Sequence, residues 1–306
     1  MLITGATGLI GRALTRSFLE DRTPVTVVSR NPSEASDMFQ GRVRAVEWSP
    51  AASPFPHDAL AGVDTVFHLM GEPVGGRWTA QKRAEIVASR VTAAAAIAEA
   101  LKGRSCRFVS ASSFGIYRGR AGEVYDETDP LPAPASEVQA ILQSWEAAAL
   151  AASSPQTRVN VVRFGMVCAP DGYPKKLVRL FKKGFGFVAG DGRQIVPIVA
   201  LDDAVGMLRW AASGQAGDGA INCVAPQLPT FRDVATCIAE TLRAPLRFRV
   251  PNWIARPILG GSADYFLLSY DVKPRVALNR GYNFRMSDPM QILRDAILGG
   301  EALAAR

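Results

Sequence analysis

The sequence predicts an α/β fold: a doubly wound parallel sheet with a smaller, mostly helical C-terminal lobe over its carboxyl edge. Three observations carry this. Short β-branched runs alternate with amphipathic stretches as far as residue 167. A glycine trio, Gly5, Gly8 and Gly11, sits between the first such run and the first helical stretch. Beyond residue 167 the rhythm loosens and Pro170, Gly172, Pro174, Gly184, Gly186, Gly190 and Gly192 crowd the chain. Strand–helix alternation of this kind implies parallel strands covered on both faces.

Taken in order, LITG is a short first strand and GLIGRALTRSFLED a helix with Leu9, Ala13, Leu14 and Phe18 facing inward. VTVVSR (25–30) is nearly all apolar and β-branched, as strands buried on both faces tend to be. VRAVEW and VDTVFHLMG (63–71) are the third and fourth strands. A long helix follows from about Thr79, its cap, to Leu101, with an inward stripe of Val87, Val91, Ala94, Ala98 and Leu101. CRFVSAS (106–112) is the fifth strand, 136–152 a helix and RVNVVRFGMV (158–167) the sixth strand. Residues 198–212 offer a strand end and a helix, 220–225 a short strand, and 230–243 a helix capped by Thr230. Residues 251–299 read as short helices joined by turns. The expected organisation is a dinucleotide-binding domain over 1–167, with 198–225 returning to it, and a smaller lobe within 168–306.

Composition excludes several classes. Of 306 residues, 48% are hydrophobic and 21% charged, which suits an ordinary globule. No run of about 18 apolar residues appears, so no transmembrane helix and no membrane partner are expected. The glycine turn begins at residue 5, which leaves no room for a signal peptide and points to the cytoplasm. A first strand of Met1 to Thr4 is short, which leaves open a clipped start or a short strand that suffices. The four cysteines are scattered and read as buried thiols. Two histidines, His57 and His68, leave little material for a metal site, and none is expected.

The net charge is +7 and the pI about 9.5. One basic cluster stands out: Lys175, Lys176, Arg179, Lys182 and Lys183. On a helix these split largely from Leu177, Leu180 and Phe181, giving either a solvated face or an attraction for a phosphorylated or carboxylated ligand. Only Phe181 is aromatic there, so no nucleic acid is expected.

The glycines have a mechanical reading. In a Rossmann-type turn one glycine permits the bend, one lets a pyrophosphate approach the backbone, and one lets helix pack on strand. The helix N-terminus then offers free N–H groups to phosphate. The alternative is that the three only pack the helix. The end of the second strand selects the dinucleotide. A carboxylate there would hold the ribose 2′-hydroxyl of NAD, but this chain has Ser29, Arg30 and Asn31. An arginine can pair with a 2′-phosphate, so NADP(H) is favoured over NAD(H); the alternative is that Arg30 faces solvent.

Several motifs carry a family resemblance. GATGLIG, the HLMG turn at 68–71, SAS at 110–112 and GEPVGGRWTAQKRAEIVASRV at 71–91 resemble the extended short-chain dehydrogenase/reductase superfamily. Within it the chain resembles the sugar-nucleotide epimerase-like family, sometimes labelled cell-division-inhibitor-like and atypical in its catalytic residues. GRQ (192–194), LDD (201–203) and the tail with VPNWIARPILGG and KPRVALNRGYNFR resemble the same family, so the likeness covers essentially the whole chain. It implies cofactor contacts from Gly5, Ala6, Thr7, Gly8, Leu9, Ile10 and Gly11, from Ser29 and Arg30, from Leu69, Met70 and Gly71, and from Ser110. It places Phe164 and Gly165 near the nicotinamide. A homodimer is common in such folds.

Reductases and epimerases of that superfamily use Tyr-x-x-x-Lys on the helix after the fifth strand, the lysine lowering the tyrosine's pKa. Here that helix has neither residue, and Val138 and Leu142 fall where the pair belongs. Candidate substitutes are Ser112 and Ser113 at the strand end, Tyr117 just beyond, and Arg77 and Lys82 after the fourth strand. A phenol beside a cation would have a lowered pKa, whereas a ring packed over the cofactor edge would be structural. Tyr125 and Asp126 follow in a loop. Arg83 and Arg90 read as solvated, His68 as structural, and Asp202 and Asp203 as a helix-capping pair. Two functions follow: an NADP(H)-dependent oxidoreductase or epimerase-like enzyme acting on a small, anionic carbonyl or hydroxyl substrate, or a noncatalytic NADP(H)-binding redox sensor or partner-binding protein.

Overall fold

Seven parallel strands form the central sheet of the computed structural model, which describes residues 1–76, 78–259 and 263–304. They are β1 (Leu2–Thr4), β2 (Thr26–Ser29), β3 (Arg44–Glu47), β4 (Thr65–His68), β5 (Cys106–Ser113), β6 (Thr157–Phe164) and β7 (Gly219–Cys223). Their order is β7-β6-β5-β4-β1-β2-β3. The chain runs outward from β1 through β2 to β3, then returns to the other side of β1 and runs from β4 to β7. The switch lies between β1 and β4, where Leu2 pairs with Thr26 on one side and Val66 on the other. Crevices beyond the carboxyl ends of strands at such a switch bind ligands.

The sheet is held by apolar residues on both faces. Leu2, Ile3, Val27, Phe67, Phe108 and Val162 are fully buried. On helix Leu9–Glu20, Leu14 and Phe18 are buried, and Leu9 and Ala13 half-buried. Phe18 meets Phe67 with ring centroids 5.5 Å apart. Gly219–Cys223 joins the sheet: β7 pairs with β6 from Gly219↔Asn160 to Cys223↔Phe164. Helix Leu201–Ala212 packs on helix Leu9–Glu20, where Arg209 lies over the Phe18 ring at 4.7 Å and pairs with Asp21.

Three expectations need correction. The helix from Thr79 is not continuous. It runs Ala80–Val87, opens into a π turn over Ala88–Thr92 and resumes at Ala93–Ala100. A π turn inserts extra chain and rotates the face. Ile86, Ala93, Ala94, Ile97 and Ala98 are therefore buried, while Val87 and Val91 are only half-buried. The sixth strand does not reach residue 167. It stops at Phe164, and Met166–Cys168 pairs instead with Ile198–Ala200. Gly165 makes the break, since a Cβ there would lie 2.8 Å from the Pro197 carbonyl oxygen. Finally, the tail over 251–299 is not all short helices, since Pro289–Ala304 is one long helix; ahead of it, Gly186–Ala189 pairs in parallel with Leu246–Val250.

The smaller lobe has its own core, built around Phe181, Phe231, Ile238, Ile292 and Leu293. All four cysteines are buried free thiols. Among the described residues no helix is long and apolar enough to cross a membrane.

Candidate active site

The glycine turn is built to be crowded. Gly5 adopts φ +71°, and a Cβ on it would lie 2.6 Å from the Met70 amide nitrogen at the end of β4. A Cβ on Gly11 would overlap the Gly5 carbonyl oxygen. Gly8 is exposed and starts helix Leu9–Glu20 with no side-chain cap and no acidic residue in the first turn. By contrast Thr79, Ser136 and Thr230 each cap their helices through a side-chain oxygen. The first N–H groups of helix Leu9–Glu20 are thus left for an anion.

Two clefts open at this edge of the sheet. The first, of about 640 Å³, is lined by Gly5, Ala6, Thr7 and Gly8, by Ser29 and Arg30, and by Ala88 and Ser89 of the π turn. Ser29 Oγ accepts from the Asn31 amide at 3.1 Å, while Arg30 is exposed. No carboxylate ends β2; Glu34, which also lines this cleft, is engaged by the Asn31 side-chain amide at 3.1 Å. The second cleft, of about 430 Å³, is lined by Ile10, Arg90, Ser112, Ser113, Phe164 and Gly165. Its floor is apolar, from Val138, Ile141, Leu142 and Trp145 of helix Glu137–Leu150. Lys176 and Tyr265 of the smaller lobe complete it. Leu69, Met70 and Gly71 line both clefts, so the two meet at the end of β4.

With this geometry in hand, sequence comparison decides the family. A model of the NAD dependent epimerase/dehydratase family matches residues 1–223. The chain belongs to that family. An epimerase family protein of Mycobacterium leprae is 30% identical over 287 residues, spanning 92% of this chain and 90% of that protein. Among solved structures, the human epimerase family protein SDR39U1 with NADPH is 26% identical over 98% of both chains, with a TM-score of 0.83. The UDP-glucuronic acid 4-epimerase of Bacillus cereus with UDP-glucuronic acid and NAD has a TM-score of 0.78 over 99% of both chains. At 17% identity that likeness is one of fold.

A nicotinamide dinucleotide fits the epimerase/dehydratase edge described above. The uncapped helix start and the glycines that admit no Cβ suit a pyrophosphate. Ser110 does not share in this: it is fully buried in β5 and donates to the Ala111 carbonyl at 3.2 Å. Leu9 lines neither cleft but packs toward the 169–172 loop, where a Cβ on Gly172 would touch its side chain.

The catalytic candidates separate. Ser112 and Ser113 line the second cleft. Tyr117 does not. It is 1% exposed and stacks on Tyr125. Its hydroxyl is bonded to Asn222 Oδ1 at 2.9 Å, the Asp126 carbonyl at 3.0 Å and Arg163 Nη1 at 2.8 Å. Burial pushes its pKa up to about 12 despite Arg163, the opposite of an activated phenol. Tyr125, bonded to Glu123, is likewise pushed up to about 12 by burial. Lys82 is paired with Glu72 and lines neither cleft. Arg77 lies outside the described residues.

Other residues take unexpected roles. Arg83 pairs with Glu137 across to the neighbouring helix. Arg90 is not solvated: it lies 5.3 Å over the Trp145 ring and donates to the Glu72 carbonyl at 2.8 Å. His68 is structural, as expected. It is fully buried between Thr4 Oγ1 (3.0 Å) and the Arg90 carbonyl (3.3 Å), and burial lowers its pKa to about 4. Asp202 and Asp203 lie in the first turn of helix Leu201–Ala212, which has no side-chain cap, so Asp203 is not the capping residue expected. Its carboxylate accepts from the Arg285 and Met286 amides at 2.8 and 3.0 Å, tying the tail to the sheet domain.

Beneath Ser112 lies a network that the sequence reading missed. Ser112 Oγ donates to Glu146 Oε1 at 2.5 Å, and Arg163 donates to Glu146 through Nε at 2.9 Å and Nη2 at 2.8 Å. Arg163, a charged residue set among Val161, Val162 and Phe164, was the available signal.

Proposed function

We propose that this chain is an NADP(H)-dependent oxidoreductase acting on a small, anionic carbonyl or hydroxyl compound. The observation that carries this is the junction of the clefts at Leu69–Gly71. One cleft has a phosphate-ready helix start, and the other has two serine hydroxyls over an apolar floor. When bound, the nicotinamide supplies hydride exchange. Gly5 to Gly8 and the first turn of helix Leu9–Glu20 hold the dinucleotide, and Arg30 takes the 2′-phosphate. NADPH in the human relative supports this preference. Phe164, Gly165 and the apolar floor exclude water from the reacting carbon, and Ser112 and Ser113 orient the substrate oxygen. Arg90 and Lys176 supply positive charge for an anionic group.

Titration with NADPH and NADH, followed by nicotinamide fluorescence, tests the reading. Tighter NADPH binding is the expected result. Equal affinity refutes the role of Arg30, and no binding of either refutes the function. A second reading, a noncatalytic NADP(H) sensor, draws on Val138 and Leu142 standing where a proton-transfer pair belongs.

A further inference from the structure

The second cleft lacks a phenol and a cation from its helix floor, yet it contains both from elsewhere. Tyr265 reaches it from the short helix Ala263–Leu267 of the smaller lobe, and Arg90 from the π turn. The Tyr265 ring stands edge-on to Phe114, with centroids 5.3 Å apart at 82°. It lies directly over Gly115, where a Cβ would come within 2.6 Å of the ring and 2.9 Å of the phenolic oxygen. Glycine at 115 is therefore required for the ring to occupy this position. The Gly115 amide donates to Ser113 Oγ at 3.2 Å, and Ser113 also hydrogen-bonds the Tyr265 phenol, which lines the cleft beside Arg90. Trp145, in the same cleft, has a buried indole N–H with no partner among the described residues.

We infer that Tyr265 is the proton donor to the substrate's carbonyl oxygen, with Ser113 and Arg90 stabilising the phenolate it leaves. This rests on the oxidoreductase reading above. In reduction, a reduced nicotinamide is the hydride source. As the carbonyl carbon gains hydride, the C=O π pair moves onto oxygen and takes the Tyr265 proton. The phenolic O–H bond breaks, an alcohol forms, and water reprotonates the phenolate. Burial pushes the Tyr265 pKa up, while Ser113 and the Arg90 charge oppose that rise, so the group is protonated at neutral pH and placed to donate. The donor comes from the smaller lobe, so the protein keeps a tyrosine at the carbonyl without one on the helix after β5.

The test uses 4-(dimethylamino)cinnamaldehyde, whose absorbance moves to the red when its carbonyl oxygen accepts a strong hydrogen bond. The probe is added to the full chain saturated with NADP⁺, which prevents reduction. The wild type is expected to give a red shift, Tyr265→Phe to lose it, and Tyr117→Phe to keep it. Tyr265→Phe retains the ring against Phe114, and unchanged NADPH fluorescence binding shows that its cleft is intact. Ser113→Ala is expected to reduce the shift. A full shift in Tyr265→Phe overturns the inference, as does no shift in a wild type that binds NADPH. A wild type that binds neither nucleotide refutes the oxidoreductase reading itself, and the inference with it.

Discussion

Replacing Arg163 by methionine isolates the buried charge pair beneath the substrate cleft. The side chains of Arg163 and Glu146 are 6% and 4% exposed, and two hydrogen bonds join them. Removing the guanidinium leaves the Glu146 carboxylate desolvated, with only Ser112 Oγ to answer it. Breaking one side of such a pair costs about 3–5 kcal/mol. For 306 residues, with an unfolding entropy of about 2.1 cal/mol/K per residue, that corresponds to a drop in midpoint of roughly 5–8 °C. Tyr117 keeps Asn222 and Asp126 as partners, so little of the loss comes from its hydroxyl. The double variant Glu146→Leu/Arg163→Met removes both charges and is expected within about 2 kcal/mol of wild type. Urea unfolding of the wild type, both single variants and the double variant closes the cycle. Additive effects, with each single change costing less than about 1 kcal/mol, would refute the account of this pair.

Three further outcomes follow from the same geometry. Gly11→Ala places a Cβ against the Gly5 carbonyl, so it is expected to lose about 1–3 kcal/mol and to weaken NADPH binding, read by melting and fluorescence. Arg30→Ala is expected to weaken NADPH by about 10–100-fold, for the loss of charge-assisted bonds worth about 1.5–3 kcal/mol, and to leave NADH nearly unchanged in the same titration. His68 is neutral in the fold, with a pKa lowered from 6.5 to about 4. Its contribution is complete above pH 6.5 and is lost as pH falls toward 4, on the order of 3 kcal/mol in all. Unfolding midpoints from pH 7.5 to 4.5 should therefore fall less steeply for His68→Asn than for wild type.

The candidate site was unevenly legible in the sequence. Glycine spacing and strand ends are local signals, and they pointed to Gly5–Gly8, Ile10, Arg30, Leu69–Gly71 and Phe164–Gly165, all of which line one of the two clefts, whereas Leu9 and Gly11 line neither. The same counting showed Val138 and Leu142 where a tyrosine and a lysine belong, and both line the second cleft. Proximity along the chain misled at Tyr117, five residues beyond Ser112 but turned into the protein interior. It misled at Ser110 as well, because alternation along a strand fixes a side chain's face but not its depth. The π turn at Ala88–Thr92 carries no periodicity signal, and it is what brings Arg90 into the cleft.

The sequence by itself determined the parallel sheet, the crowded glycine turn and the absence of a tyrosine–lysine pair on helix Glu137–Leu150. Each depends on backbone sterics or burial periodicity within a few residues. Only the tertiary structure decided that Tyr117 is a bonded, buried phenol, that Glu146 answers Arg163, and that Tyr265 stands over Gly115. A polar side chain's chemistry is set by its desolvation and its partners. Here those partners come from strands and lobes far apart in the chain, brought together only when the sheet closes and the smaller lobe packs over its edge.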